Sequence, residues 1–352
     1  MPKVSVVLPT YQRAHLLGET VAGLLRQTLA DIEVIVADDG STDETPEVVG
    51  NFKDPRVRYV RREHLGMPLI LNEGFAAAQG QYIMTCHDHD IYDPTLLEEL
   101  AGVLDRHPSA TYAHCGNVLV DASGRRELVY QVPDYPELFP GGAFLIEELL
   151  PISPVSATSM VRASVLGGAG LDARFGGVAD IELWLRLSTV GDVAYVKKPL
   201  IRIRQRDASS KFYSSGWKLA ATVLEIKKTY LRRVEDSSRR TAICNRWRKE
   251  VDGTSLLELL KVLEARRYEE IPSIVEFVRQ EGTHNGANLV FFLSYLPRGL
   301  ALGILRSLRL LYRERLRWRM ARTKGALYMK TLLSRPYRPS DMGKTERRCP
   351  NR

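Results

Sequence analysis

Cysteine is scarce in this chain, and no long apolar run survives uninterrupted. Only four of the 352 residues are cysteine (Cys86, Cys115, Cys244 and Cys349), and they fall in no CxxC or zinc-like spacing. This spacing argues against a disulfide framework and for a reducing compartment. The most apolar stretch, residues 288–312, is interrupted by Pro297 and Arg298, so neither half reaches the roughly 20 residues a spanning helix needs. The N-terminus passes from Met1-Pro2-Lys3 directly into Val4 to Leu8. That run is too short and too polar at its flanks for a signal peptide, and secretion is not expected. Internal repeats and low-complexity tracts are also missing.

What remains is the composition of an ordinary soluble globular protein, 44% hydrophobic and 26% charged, long enough for one large domain or two modest ones. The net charge of +8 is unevenly placed. Residues 1–200 hold 16 Lys or Arg against 27 acids, whereas from Arg298 onward 16 Lys or Arg face only three acids, Glu314, Asp341 and Glu346. A basic tail of this kind calls for an anionic partner: nucleic acid, a phosphorylated substrate or an anionic membrane.

The first hundred residues alternate strand and helix patterns. Val4 to Leu8 is a β-rich apolar run ended by Pro9, and Ile32 to Ala37, Val57 to Val60 and Tyr82 to Thr85 read as further strands. Helices are expected over 15–29, 42–52 and 67–79. Repeated βαβ units imply an α/β fold, a mostly parallel sheet flanked by helices, with ligands bound beyond the C-terminal strand ends. Polar residues collect at those ends: Thr10, Tyr11 and Arg13, then Asp38 and Asp39, then Asp88 and Asp90. After residue 110 the pattern loosens, with a strand over 112–120, a loop over 134–142 and a helix over 180–189. Beyond residue 210 it becomes long, basic and helical. The boundary is expected near 206–216, dividing the chain into residues 1–210 and a helical region, 211–352.

Asp38 and Asp39 can accept hydrogen bonds from a base imide or ribose hydroxyls; equally, one of them can cap a helix starting near Ser41-Thr42-Asp43. Asp88 and Asp90, one residue apart, can both face a hard divalent cation that neutralises a departing diphosphate. His87 and His89 raise the alternative of a transition-metal site, although a single carboxylate site with histidine neighbours fits the strand-end context better. Asp180, after Phe175-Gly176-Gly177, is either a helix N-cap or a general base near an acceptor hydroxyl.

Four segments, taken in order and spacing, carry a resemblance: residues 6–13, residues 34–43, Asp88-His89-Asp90, and residues 180–187. Over about residues 3–206 the chain resembles family 2 glycosyltransferases of the GT-A fold, with a Rossmann-like nucleotide-binding half. The resemblance implies inverting transfer of a sugar from a nucleotide-diphosphate donor, commonly UDP-linked, to an acceptor hydroxyl, with Mg2+ or Mn2+. It implies that Pro9, Thr10, Tyr11, Arg13, Asp38, Asp39, Asn72 and Asp88 bind the nucleotide-sugar, that Asp88 and Asp90 hold the metal, and that Asp180 is the catalytic base.

Three departures from the family pattern stand out. Counted from Pro94, the family's D-x-D-D window reads His87-Asp88-His89-Asp90 here, so His89, where an acid is usual, can lend a ligand to Mn2+. The base motif Glu-Asp reads Ala179-Asp180, and the usual Arg-Asn reads Leu71-Asn72. A cation near the diphosphate must then come from elsewhere, with Arg62, Arg204 and Arg206 as candidates. Arg246-Trp247 lacks the glutamine of the QxxRW motif and reads as helix surface and core.

In the C-terminal third, residues 300–320 place Leu and Ile on one side and Arg306, Arg309, Arg313 and Arg317 on another. This fits a helix lying on an anionic membrane surface, or a soluble subdomain with a solvated basic face. No nucleic-acid motif accompanies the charge. The expected protein is cytoplasmic, peripheral on the inner face of the membrane, and acts on a glycan or lipid-linked acceptor in polysaccharide or glycoconjugate synthesis. Two rivals remain: a degenerate binding or scaffold subunit, and nucleotidyl transfer to a sugar phosphate. The second normally needs a glycine-rich loop that Thr10-Tyr11-Gln12-Arg13 lacks.

Overall fold

The computed structural model describes residues 1–151, 155, 158–166, 170–205 and 216–322. The expected boundary at 206–216, together with Arg206, lies almost wholly outside the described residues. Among the described residues, ten strands form one sheet: β1 Val4–Thr10, β2 Ile32–Asp38, β3 Val57–Arg61, β4 Tyr82–Thr85, β5 Ile91–Tyr92, β6 Ala110–Val120, β7 Glu127–Gln131, β8 Leu138–Phe139, β9 Met160–Arg162 and β10 Asp192–Arg204. Their order is β3-β2-β1-β4-β9-β6-β10-β5, with β7 beside β6 and β8 beside β10. The helices are α1 Ala14–Leu25, α2 Thr45–Gly50, α3 Met67–Ala77, α4 Leu96–Arg106, α5 Gly141–Phe144, α6 Ala163–Leu166, α7 Ala179–Leu187, α8 Gly216–Leu231, α9 Ser237–Ala265, α10 Ile271–Glu281, α11 His284–Tyr295 and α12 Arg298–Arg322.

The first half follows from its residues. β1 and β2 are buried at every position, as strands covered on both faces must be. Alternation then sorts their side chains. Val6, Leu8, Val34 and Val36 join Leu17, Val21 and Leu24 of α1 on one face. Val7, Ile35 and Ala37 join Ile70 and Leu71 of α3 on the other. β1 does not stop at Pro9. It continues to Thr10, with Pro9 opposite Ala37 of β2. The last register pair with β4 is Val7–Thr85, so the N–H that proline lacks costs no ladder bond on that side.

The second half is where local patterns fell short. β9 runs antiparallel to both neighbours, β4 and β6. β10, 13 residues long, is parallel to β6 through three register shifts. Within the expected loop over 134–142, β8 pairs with β10.

Helices α8 to α12 gather around α9, and their apolar residues belong to the same cluster as the sheet face bearing Val7, Ile35 and Ala37. Trp247 is buried and its Nε1–H donates to the Leu150 carbonyl at 2.8 Å, while Tyr230 Oη–H donates to Glu182 of α7 at 2.7 Å. The helices therefore complete one core shared with the sheet. Pro297 separates α11 from α12, and its carbonyl accepts from Leu300 N at 2.9 Å. Ala301, Leu302 and Leu305 of α12 are buried, and Arg306 pairs with Glu264 at 2.9 Å. Among the described residues no helix is long and apolar enough to cross a membrane.

Candidate functional site

The ends of β1, β2 and β4 bring the predicted polar residues together. Thr10 pairs with Asp38 across β1 and β2, and the β1 edge holds the chain leaving β4 through Cys86 N to Val7 O at 3.0 Å. Buried polar groups in such a place need partners, and each finds one within the site.

Asp38 is fully buried. Its carboxylate accepts from Ser41 N at 2.9 Å and from Tyr59 Oη at 2.5 Å, with Arg61 Nε 3.6 Å away. Asp39 accepts from Leu65 N at 2.7 Å and Gly66 N at 3.1 Å, beside His64 Nδ1 at 2.9 Å. Neither is the cap of α2. That helix starts at Thr45, later than expected; Glu44 holds its cap position without a side-chain bond, and Asp43 just before it accepts from Thr45 N at 3.1 Å and Ala14 N at 3.0 Å. Gly40, at φ 83°, makes the tight return possible, because a Cβ there would meet His64 N at 3.0 Å. The segment 64–66 thus folds back over β2, and His64 lies against the half-exposed Tyr11 ring, centroids 4.4 Å apart.

Asp88 accepts from Thr10 Oγ1 at 2.8 Å, lies 3.0 Å from His89 Nδ1 and 3.8 Å from Arg13 Nε. Asp90, also buried, lies 3.1 Å from His87 Nδ1, 3.8 Å from His89 Nε2, and accepts from Arg204 N at 3.1 Å. Burial opposes ionisation of Asp90. The His87 hydrogen bond, the two imidazoles and the Arg204 N–H outweigh that penalty and hold its carboxyl below the usual range. His87, His89 and Asp90 offer ligand atoms that all lie within 4.8 Å of one another. From the sequence, His89 can lend a ligand to Mn2+ and His87 is a neighbour; the structure brings both beside Asp90.

Asp180 is the second residue of α7, partly buried. Val178 holds the cap position without a side-chain bond. Burial pushes the Asp180 carboxyl up to about 6, and the charge of His87 pulls the other way. The helix start and the β4 turn therefore share one electrostatic neighbourhood.

Asn72 and Pro9 take supporting places. Both ends of the Asn72 amide bind the Leu171 backbone, Nδ2 to its carbonyl at 2.9 Å and Oδ1 from its N–H at 2.7 Å. This clamps the approach to α7. Pro9 is buried in β1. Of the expected cations, Arg62 is exposed and bound to Glu73 at 2.8 Å. Arg204 is buried and bound to Glu19 at 2.5 Å.

A doubly covered sheet with carboxylates and imidazoles gathered beyond its parallel strand ends is a nucleotide-binding α/β architecture. Residues 5–147 match the family model described as glycosyl transferase family 2, and the chain carries a family 2 glycosyltransferase domain. An uncharacterized glycosyltransferase of Rickettsia typhi is 27% identical over 219 residues, 59% of this chain and 66% of that one. A Campylobacter jejuni protein, GalNAc(5)-diNAcBac-PP-undecaprenol beta-1,3-glucosyltransferase, is 33% identical over 129 residues, 35% of this chain and 40% of that one. The chain thus spans two thirds or less of either relative's length. Residues 1–349 of Staphylococcus aureus TarS, solved with UDP-GlcNAc, share the fold: TM-score 0.59 and 18% identity, covering 89% of this chain and 92% of that one.

Proposed function

We propose that the chain transfers a sugar from a nucleotide-diphosphate donor, UDP-linked, to an acceptor hydroxyl with inversion at the anomeric carbon. The observation that carries this reading is the gathering of Thr10, Asp38, Asp88, His87 and Asp90 beyond the ends of β1, β2 and β4, in a chain whose residues 5–147 match glycosyl transferase family 2. At the start of α7, burial raises the Asp180 carboxyl to about 6. A carboxylate near that value is ionised at neutral pH, yet basic enough to take a proton in the transition state.

In this reading Asp180 accepts the proton of the acceptor hydroxyl as its oxygen attacks the anomeric carbon. The bond from that carbon to the diphosphate oxygen breaks, and the nucleoside diphosphate leaves. Tyr11 offers an aromatic face to the base, and Asp39 takes ribose or imide hydrogen bonds when segment 64–66 moves aside. Asp38, with Ser41, Tyr59 and Arg61, keeps the pocket floor in shape. Arg13 supplies positive charge beside the diphosphate. A divalent cation would be held by the donors at residues 87–90 and would supply charge neutralisation for the leaving group.

The C. jejuni relative is named for a polyprenyl-diphosphate-linked glycan, which favours a glycan or lipid-linked acceptor in glycoconjugate synthesis at the inner membrane face. Phe291, Phe292 and Tyr295 of α11 and Leu300 of α12 are exposed. Together with the basic chain from Arg298 onward, they suit peripheral contact with an anionic membrane.

The test is release of nucleoside diphosphate from a panel of UDP- and GDP-sugars, with and without Mn2+ and acceptor, by the protein and its Asp90→Ala variant. Cation-dependent release that the variant loses supports transfer. Binding without release in every condition supports the scaffold reading instead.

A further inference from the structure

We propose that His87, His89 and Asp90 together form a mixed nitrogen and oxygen cation site that selects Mn2+, Co2+ or Zn2+ over Mg2+, while Asp88 orients His89 and does not bind the ion. The proposal rests on the transfer reading only for the ion's purpose. The ligand set comes from the arrangement of the four side chains.

His87 Nδ1 approaches one oxygen of Asp90 at 3.1 Å, and His89 Nε2 approaches the other at 3.8 Å. The two rings stack with centroids 5.4 Å apart and planes 16° from parallel, so both present nitrogen toward the same carboxylate. All three ligand atoms lie within 4.8 Å of one another, so a small inward shift of the side chains lets one ion bridge them at bonds of about 2.0–2.3 Å. The other nitrogen of His89, Nδ1, lies 3.0 Å from Asp88. A proton on Nδ1 donated to that carboxylate leaves the Nε2 lone pair facing Asp90. This is the carboxylate–histidine–metal arrangement, in which the outer carboxylate sets tautomer and ring direction. Asp88 is itself fixed by Thr10 at 2.8 Å and by Arg13 at 3.8 Å. One of its oxygens is taken by Thr10 and the other by His89 Nδ1, with Arg13 beside it.

The chemistry of the donors sets the selectivity. Mg2+ demands oxygen ligands in near-ideal octahedral geometry and keeps its waters. Imidazole nitrogen suits first-row transition ions, with affinity rising from Mn2+ through Co2+. A site with two imidazoles and one carboxylate therefore favours those ions over Mg2+. Two carboxylates at the same place would leave Mg2+ competitive.

The experiment titrates the full-length protein with Mn2+ alone and reads free ion by continuous-wave electron paramagnetic resonance and bound ion by pulsed methods. The bound Mn2+ should show coupling to two imidazole nitrogens. His87→Ala and His89→Ala should each leave one coupled nitrogen and weaken Mn2+ binding about tenfold or more. Asp88→Asn should retain both nitrogens while lowering affinity by about 10–100-fold, the usual cost of losing an outer carboxylate. Mg2+ should displace Mn2+ only at about a hundredfold excess or more. Mn2+ bound without nitrogen coupling, Mg2+ competing on equal terms, or no Mn2+ binding would each overturn the proposal. The wild-type spectrum decides the ligand set even where a variant folds poorly. Nitrogen-coupled Mn2+ without nucleoside diphosphate release would instead leave this site standing and remove the transfer reading.

Discussion

The β1, β2 and β4 strand ends and the α8 to α12 helices treat charge in opposite ways. At the strand ends, Asp38, Asp88 and Asp90 are buried, and their partners are other residues of the same site. Among the helices most ion pairs lie at the surface, such as Lys228 with Glu281 and Arg306 with Glu264, and burial falls mainly to Trp247, Leu259, Val262 and Val290, with Lys227 and Glu258 as buried charged exceptions. Surface pairs of that kind contribute about 0–1 kcal/mol each. A buried carboxylate stripped of its partners costs several times more. In the proposed reading the strand ends carry chemistry at a cost in stability, and the helices supply apolar burial that offsets it.

The comparison can be broken most severely at Asp180. Asp180→Asn should lower turnover by about 10²–10⁴-fold, the usual worth of a general base, and leave donor affinity and melting temperature nearly unchanged. The sign with pH follows from the raised carboxyl. Below about pH 6 the group is protonated and cannot accept a proton, so wild-type turnover should fall as pH drops through about 6 and level off above it. A pH–rate profile with no acid limb near that value contradicts the assignment.

The converse change lies among the helices. Trp247→Ala removes a buried indole and leaves the Leu150 carbonyl without its donor. It should cost about 3–5 kcal/mol of stability, read by denaturant unfolding, with activity per folded molecule retained. Loss of activity without loss of stability would mean the helices take part in the chemistry.

Asp39→Ala is expected to weaken donor binding by about 1–3 kcal/mol, measured calorimetrically with the preferred UDP-sugar. Tighter binding would show that freeing segment 64–66 matters more than the carboxylate's own hydrogen bonds. The smallest effect concerns the α11 edge. Phe292→Asp should reduce sedimentation with anionic vesicles by a few fold, since burial and charge act together there at about 1 kcal/mol per basic residue. High salt should weaken binding by wild type without abolishing it.

What was legible in the sequence, and what was not, follows the reach of each interaction. Strands β1, β2, β3 and β4 and their helices carry runs whose period alone names them, and Thr10, Asp38, Asp39, Asp88 and Asp90 fall at strand ends that the same runs mark. β9, only three residues long and antiparallel to both neighbours, has no pattern of its own. β10 is interrupted by exposed Lys197, Lys198 and Pro199, and it is a strand because β6 pairs with it. His89 is offered by the motif register, but the place of His87 beside Asp90 is not, since it is set by the turn after β4 rather than by any pattern in the residues. His64 reached the site only through the fold of the β3–α3 loop over Asp39.

The claim that the strand ends and Asp180 form one inverting site meets its most direct test in the anomeric configuration of the product. Proton NMR should follow the transferred sugar from an α-linked nucleotide donor, onto an acceptor or onto water, before mutarotation. The account predicts that the β-anomer appears first, as a single displacement assisted by one carboxylate base requires. An α-anomer appearing first would contradict it.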